Sequence, residues 1–267
     1  MDATVSHDPL FEIVTSSTIQ RNTLADLAAE KIAAIRIPDF LTAQEQQDLL
    51  ERLLEAEFES YGSERVYPQV MRFGVAVSDY NEHGTLSDRY WEALDSNGDI
   101  TGRLKLPYDP FRLCRERIGA ELPFPVEIGT RRGRSFAPGV FREPNNGFQV
   151  HFDDARREFP TNLVDENLIA QFAFNLYLSV PEEGGETVIW RHHWMPEDES
   201  HRLPNSYGYA ETVVARAESL EIRPNVGDVL LLNPRFFHAV RPSRGARRIS
   251  LGFSLGLTDD GRLLTWG

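Results

Sequence analysis

The stretch Ala170-Gln-Phe-Ala-Phe-Asn-Leu-Tyr-Leu-Ser-Val-Pro-Glu-Glu-Gly-Gly-Glu-Thr-Val-Ile-Trp190 decides the fold class. Two apolar runs flank Pro-Glu-Glu-Gly-Gly, a turn sequence that neither helix nor strand tolerates inside it. The same texture continues along the chain. Gly147–Phe152, Thr212–Ile222, Asp228–Leu232, Phe236–Val240 and Arg248–Leu257 read as further strands, with a second turn at Pro224-Asn-Val-Gly-Asp228. Several short antiparallel strands of this kind predict a double-stranded β-helix of the jelly-roll or cupin type.

Upstream of about residue 125 the texture is mostly helical. Thr42 with Glu45 reads as a capping box, and Leu49, Leu50, Leu53, Leu54 and Phe58 then recur on one helical face. A second helix is expected from Asp109-Pro110 to just before Gly119, and a short strand over Ala33–Ile37. The expectation is therefore one domain over 1–267, mainly β with flanking helices. A helical half (about 1–125) would pack on a barrel (about 126–257).

Composition narrows the function. Hydrophobic residues make up 41% and charged residues 26% of the 267, the values of a folded soluble chain, and no apolar run is long enough to cross a bilayer. The N-terminal MDATVSHDPLFEIV lacks a basic stretch followed by an apolar one, so no signal peptide is expected. One cysteine, Cys114, excludes an intrachain disulfide and a thiolate metal site, and fits a reducing, cytoplasmic setting. The net charge of −13 disfavours nucleic acid and anionic membranes as partners.

His151-Phe-Asp153 ends a predicted strand. Residues i and i+2 share a strand face, so one imidazole and one carboxylate grip the same ion. His238, on a strand after a Gly-Asp turn, is the best source of a second imidazole. Two His and one carboxylate form a facial triad that leaves three positions open on iron(II). His7, His83, His192, His193 and His201 lack a paired ligand or sit in polar segments.

Ten residues after His238 stands Arg248-Ile-Ser250, again an i, i+2 pair. A guanidinium offers a carboxylate two parallel charge-assisted hydrogen bonds, and a hydroxyl adds a third. The pair suits the distal carboxylate of 2-oxoglutarate. Arg247 is the runner-up anchor and Arg244 a weaker third.

The order His151-x-Asp153, His238, Arg248-x-Ser250 resembles the signature of the iron(II)/2-oxoglutarate oxygenase superfamily. The segment Asn175–Trp190 is similar to its prolyl 4-hydroxylase-like branch, and the likeness covers about residues 145–257. It implies iron(II), 2-oxoglutarate and O2 as cofactor and co-substrates, succinate and CO2 as products, and hydroxylation of an unactivated C–H bond. It also implies that Tyr177 hydrogen-bonds the co-substrate carboxylate beside Arg248, while Asn175 lines the same pocket. Halogenating relatives carry Gly or Ala where this chain has Asp153, so the likeness implies hydroxylation. Gln149–Glu158 and Asn233-Pro-Arg-Phe-Phe-His238 look most like stand-alone oxygenases near the amino-acid halogenases. That implies a free amino acid or similar small metabolite, with a peptidyl hydroxylase and a non-catalytic cupin-like binder as the alternatives. Asp154, Arg72 and Arg134 are the candidate substrate contacts, with Arg132 beside them. Glu143, Asn145 and Asn146 are expected at the rim. The loop Arg191–Tyr209 is expected as a lid, and Trp266 as a lid element or an exposed tail.

Overall fold

The computed structural model describes residues 11–61, 66, 68–204 and 206–267. His7 and the N-terminal stretch through residue 10 lie outside the described residues. In chain order the first half contains β1 (Ile13–Thr15), α1 (Arg21–Ala28), β2 (Ala34–Ile37), α2 (Ala43–Glu55), β3 (Met71–Phe73), α3 (Arg89–Asn97) and α4 (Pro110–Gly119). Then follow β4 (Val126–Ile128), β5 (Val140–Glu143), β6 (Phe148–His151), the one-turn α5 (Ala155–Glu158), β7 (Leu168–Ser179) and β8 (Thr187–His193). The chain ends with β9 (Ser219–Ile222), β10 (Val229–Leu232), β11 (Phe236–Val240), β12 (Ile249–Thr258) and β13 (Leu263–Trp266).

The strands form the two facing sheets of a jelly roll. The major sheet runs β1-β2-β10-β7-β12-β5-β3, with β13 on the free part of β12 and β4 on β13. The minor sheet runs β6-β11-β8-β9. Strand alternation sorts the side chains of β7. Phe172, Phe174, Leu176 and Leu178 bury with Leu49 and Leu53 of α2 and Phe111, Cys114 and Ile118 of α4. Tyr177 instead packs with Ile189, Leu230 and Leu232, on the side of the minor sheet. One sheet face is thus sealed by helices, and the other is left for a site.

Local signals fixed the helix starts. Thr42 Oγ1 accepts from Glu45 N at 3.3 Å and Glu45 Oε2 accepts from Thr42 N at 2.8 Å, the expected capping box. Asp109 caps α4 through the N–H groups of Phe111 and Arg112. That helix continues through Gly119 rather than stopping before it. Leu49 and Leu53 are buried, but Leu54, expected on the same face, is 52% exposed. No helix among the described residues is long and apolar enough to cross a membrane.

Three expectations change. The first half does not simply pad a barrel: β1, β2 and β3 are hydrogen-bonded into the major sheet at its two ends. Ala34, Ile35 and Ile37 are buried against β10, which a helical layer lying outside the sheet would not achieve. Thr212–Ile222 is not one strand. Glu211–Val214 forms a 3-10 turn that buries Val214 beside Trp190 and Phe237, and pairing with β8 begins only at Ser219. Trp266 is neither lid nor tail; it lies in β13 at 3% exposure and contributes to the cavity wall.

Candidate metal and co-substrate site

The minor sheet carries the candidate metal group. His151 on β6 and His238 on β11 are direct cross-strand partners, with ring centroids 4.1 Å apart. His151 Nδ1 lies 2.7 Å from Gln149 O and His238 Nδ1 3.0 Å from Phe236 O. A carbonyl only accepts, so each Nδ1 carries the proton and each Nε2 offers its lone pair. Asp153 N donates to Pro234 O at 2.8 Å, which ties the carboxylate to the turn before β11. Asp153 Oδ2 stands 3.6 Å from His238 Nε2, and one ligand atom from each of the three residues lies within 4.8 Å of the others.

The electrostatics suit a cation. Burial, then the facing His238, push the His151 imidazole down to about 3, so it is a neutral donor at neutral pH. Burial also opposes ionisation of Asp153. The two imidazoles, the Tyr207 hydroxyl and the Arg142 guanidinium outweigh it and hold the carboxyl below its ordinary value. Two imidazole nitrogens and one carboxylate gathered this closely fit iron(II) as a three-ligand set.

The loop expected as a lid is pinned to the metal strand instead. Tyr209 forms a β-bridge with Val150. A Cβ at Gly208 would lie 2.6 Å from Gln149 Cβ, so glycine lets the loop approach this closely. Tyr207 is thereby brought in, and its hydroxyl lies 2.6 Å from Asp153 Oδ1 and 2.8 Å from Glu158 Oε1. Asn205, also in this loop, lies outside the described residues.

A cavity between the sheets has His151, Asp153 and His238 on one wall and Asn175, Arg248 and Ser250 on the other. Arg248 is buried; its Nε donates to Gly185 O at 3.0 Å and its Nη2 to Thr187 Oγ1 at 3.4 Å. Tyr177 does not line the cavity. Its ring backs the Arg248 guanidinium at 5.1 Å and its hydroxyl meets Thr187 Oγ1 at 3.2 Å. Thr187, the last residue of the Gly-Gly-Glu-Thr motif, thus adds a hydroxyl beside Arg248 on the cavity wall that Ser250 also lines. Arg247 turns away into a bidentate pair with Glu143, at 2.8 and 2.6 Å, and Arg244 is exposed. Asn145 Oδ1 accepts from Arg248 N at 2.8 Å, so Glu143 and Asn145 brace the anchor segment rather than form a rim; Asn146 is exposed.

The expected substrate contacts are engaged elsewhere. Asp154 caps α5 through Arg156 N at 3.1 Å and faces Arg235 at 3.5 Å. Arg72 is paired with Asp79 at 2.8–2.9 Å, and exposed Arg134 with Asp95 at 3.0 Å while covering Trp91. Arg132 is exposed on the hairpin turn that Asp165 holds. None of the four lines the cavity. Arg142 and Glu158 do. The signal for Arg142 was present: it alternates with Phe141 in the run Val140-Phe-Arg-Glu143, so it faces away from the helix-covered core.

Residues 124–267 match the family described as carrier-protein-independent halogenase WelO5. The chain is 35% identical over 272 residues, spanning the whole of both proteins, to an L-gamma-glutamyl-L-propargylglycine hydroxylase of Streptantibioticus cattleyicolor. It is 27% identical over 204 residues, 71% of this chain and 79% of the other, to leucinostatins biosynthesis cluster protein S of Purpureocillium lilacinum. Among solved structures, an N-substituted L-amino acid dioxygenase from Burkholderia ambifaria, in complex with alpha-KG, superposes with a TM-score of 0.58. That superposition covers 92% of this chain and 90% of that one at 16% identity, a likeness of fold.

Proposed function

The chain belongs to the family of the carrier-protein-independent halogenase WelO5 and is an iron(II)- and 2-oxoglutarate-dependent oxygenase; on that premise we propose that it hydroxylates an unactivated C–H bond of a small amino acid derivative. The observation that carries this reading is the carboxylate of Asp153 within reach of both imidazoles. A carboxylate in the third ligand position occupies the place a halide needs, which favours hydroxylation over halogenation. The named activity of the 35% identical relative supports the same outcome and a small substrate.

When bound, iron(II) with 2-oxoglutarate and O2 would supply the oxidising chemistry, with succinate and CO2 as co-products. The protein's own groups hold and aim. His151, Asp153 and His238 would hold the metal at the cavity wall. Arg248 forks onto the distal carboxylate of 2-oxoglutarate, with Ser250 and Thr187 as hydroxyl partners and Asn175 on the same wall. Tyr207 keeps Asp153 oriented. Burial of Arg248 strengthens its grip, because the ion pair forms away from water.

The test has two parts. Anaerobic protein with iron(II) and 2-oxoglutarate is expected to develop visible charge-transfer absorption, and in air to release succinate with a panel of free, N-substituted and γ-glutamyl amino acids. The product should gain one oxygen. Absence of the absorption, or a chlorinated product in place of the hydroxylated one, overturns the reading.

A further inference from the structure

Strand register sets a row of side chains across the inner face of the major sheet. Arg72, Arg142, Ser250 and Tyr177 are successive cross-strand partners on β3, β5, β12 and β7. The two guanidinium groups of this row differ in their partners. Arg72 is committed to Asp79. Arg142 donates from Nε to Tyr61 Oη at 3.0 Å, and among the described residues it has no other hydrogen bond and no carboxylate partner. Arg142 lines the cavity, in the same enclosure as Asp153.

The site is built around this side chain. A Cβ at Gly252 would fall 2.5 Å from Arg142 Nη1. Glycine in the middle of a strand weakens it, and here its bare face makes room for the guanidinium. Tyr61 fixes the other edge, and its ring is itself covered by Arg72 at 5.3 Å. With Nε held, the Nη1–Nη2 edge is a planar fork whose matching acceptor is a carboxylate.

The cavity thus holds two cationic groups, one on each flank of β12. Arg248 reaches toward β7 and β8, to Gly185 and Thr187. Arg142 stands on β5 beside Tyr61. On the reading above, Arg248 would take the distal carboxylate of 2-oxoglutarate, which leaves Arg142 for another anion. The geometry points to Arg142 as the residue that binds the carboxylate of the amino-acid-like substrate and so sets which C–H bond faces the metal group. This rests on the hydroxylase reading above and names its substrate as a free carboxylic acid.

The test uses protein loaded with iron(II) and 2-oxoglutarate under anaerobic conditions. Binding of free, N-substituted and γ-glutamyl amino acids is measured by calorimetry, each alongside its carboxamide. Wild type is expected to prefer the acid. Arg142→Gln should weaken the acid about a hundredfold and remove the preference, while 2-oxoglutarate affinity, which also reports folding, stays within about threefold. Arg142→Lys should recover part of the preference, since it keeps the charge without the fork. The assignment is overturned if wild type binds no acid more tightly than its amide, if the preference survives in Arg142→Gln, or if that variant loses 2-oxoglutarate before any substrate is added. Wild type that fails to take up 2-oxoglutarate sinks the hydroxylase reading itself, which the other outcomes leave standing.

Discussion

The Tyr207 hydroxyl stands 2.6 Å from Asp153 Oδ1, so a residue of the loop after β8 touches the carboxylate of the metal group. Its other acceptors, Phe152 O and Glu158 Oε1, are at 2.7 and 2.8 Å, and its single proton favours the shortest, charged contact. Groups that hydrogen-bond a metal ligand orient it and typically change affinity by about 10- to 100-fold. Tyr207→Phe is therefore expected to weaken iron(II) binding about tenfold with little loss of 2-oxoglutarate affinity at saturating metal. Metal titration followed by intrinsic fluorescence reads this directly, and unchanged metal affinity would remove Tyr207 from the site.

Arg248 and Arg247 are adjacent in sequence and opposite in fate. Arg248→Gln is expected to raise the Kd for 2-oxoglutarate about a hundredfold, through loss of a buried charge-assisted fork, while metal affinity holds. Arg247→Gln leaves co-substrate affinity nearly unchanged, because its guanidinium is paired with Glu143. Equal effects of the two variants would contradict the assignment.

Gly185 sits at φ +74, where a Cβ would lie 2.6 Å from Pro181 Cγ and 3.2 Å from Arg248 Cδ. Gly185→Ala then carries a left-handed backbone cost of about 1–2 kcal/mol. It also pushes on the anchor arginine. We expect a lower melting temperature together with weaker 2-oxoglutarate binding. A loss of stability with full co-substrate affinity would show that the turn does not position Arg248.

Glu45 links stability to pH. Burial works against its ionisation, but hydrogen bonds from Thr42 and the Arg117 guanidinium hold its carboxyl below the ordinary 4.5. A carboxyl with a lowered folded-state value stabilises the fold above its unfolded value, and the contribution is lost as pH falls through the lowered one. Glu45→Gln should therefore cost about 2–4 °C in melting temperature at neutral pH. The gap to wild type should close as the pH drops below 4.5. A gap that is constant with pH would mean that the charge of Glu45 plays no part.

Much of the site was legible because it is local. Strand periodicity alone puts His151 with Asp153 and Arg248 with Ser250, and the turn at Pro181–Gly185 announces the change of strand. The capping box at Thr42 is equally local. The strand expected over Thr212–Ile222 failed where burial of Val214 under Trp190 overrode the local preference. The first half does more than pad, because β2 and β3 find partners far along the chain and β1 adds to β2.

The sequence by itself determined the kinds of group in the candidate site: two imidazoles and a carboxylate suited to a metal, a guanidinium and hydroxyls suited to a dicarboxylate. Only the tertiary structure decided which charges are free to act. Arg72, Arg134 and Arg247 look as available as Arg142 in the sequence, yet folding brings Asp79, Asp95 and Glu143 into salt-bridge contact with them, while among the described residues no carboxylate comes that close to Arg142. A charge is neutralised by whichever counter-charge lies within a few ångströms, and that distance is set by sheet register and loop path, not by spacing along the chain.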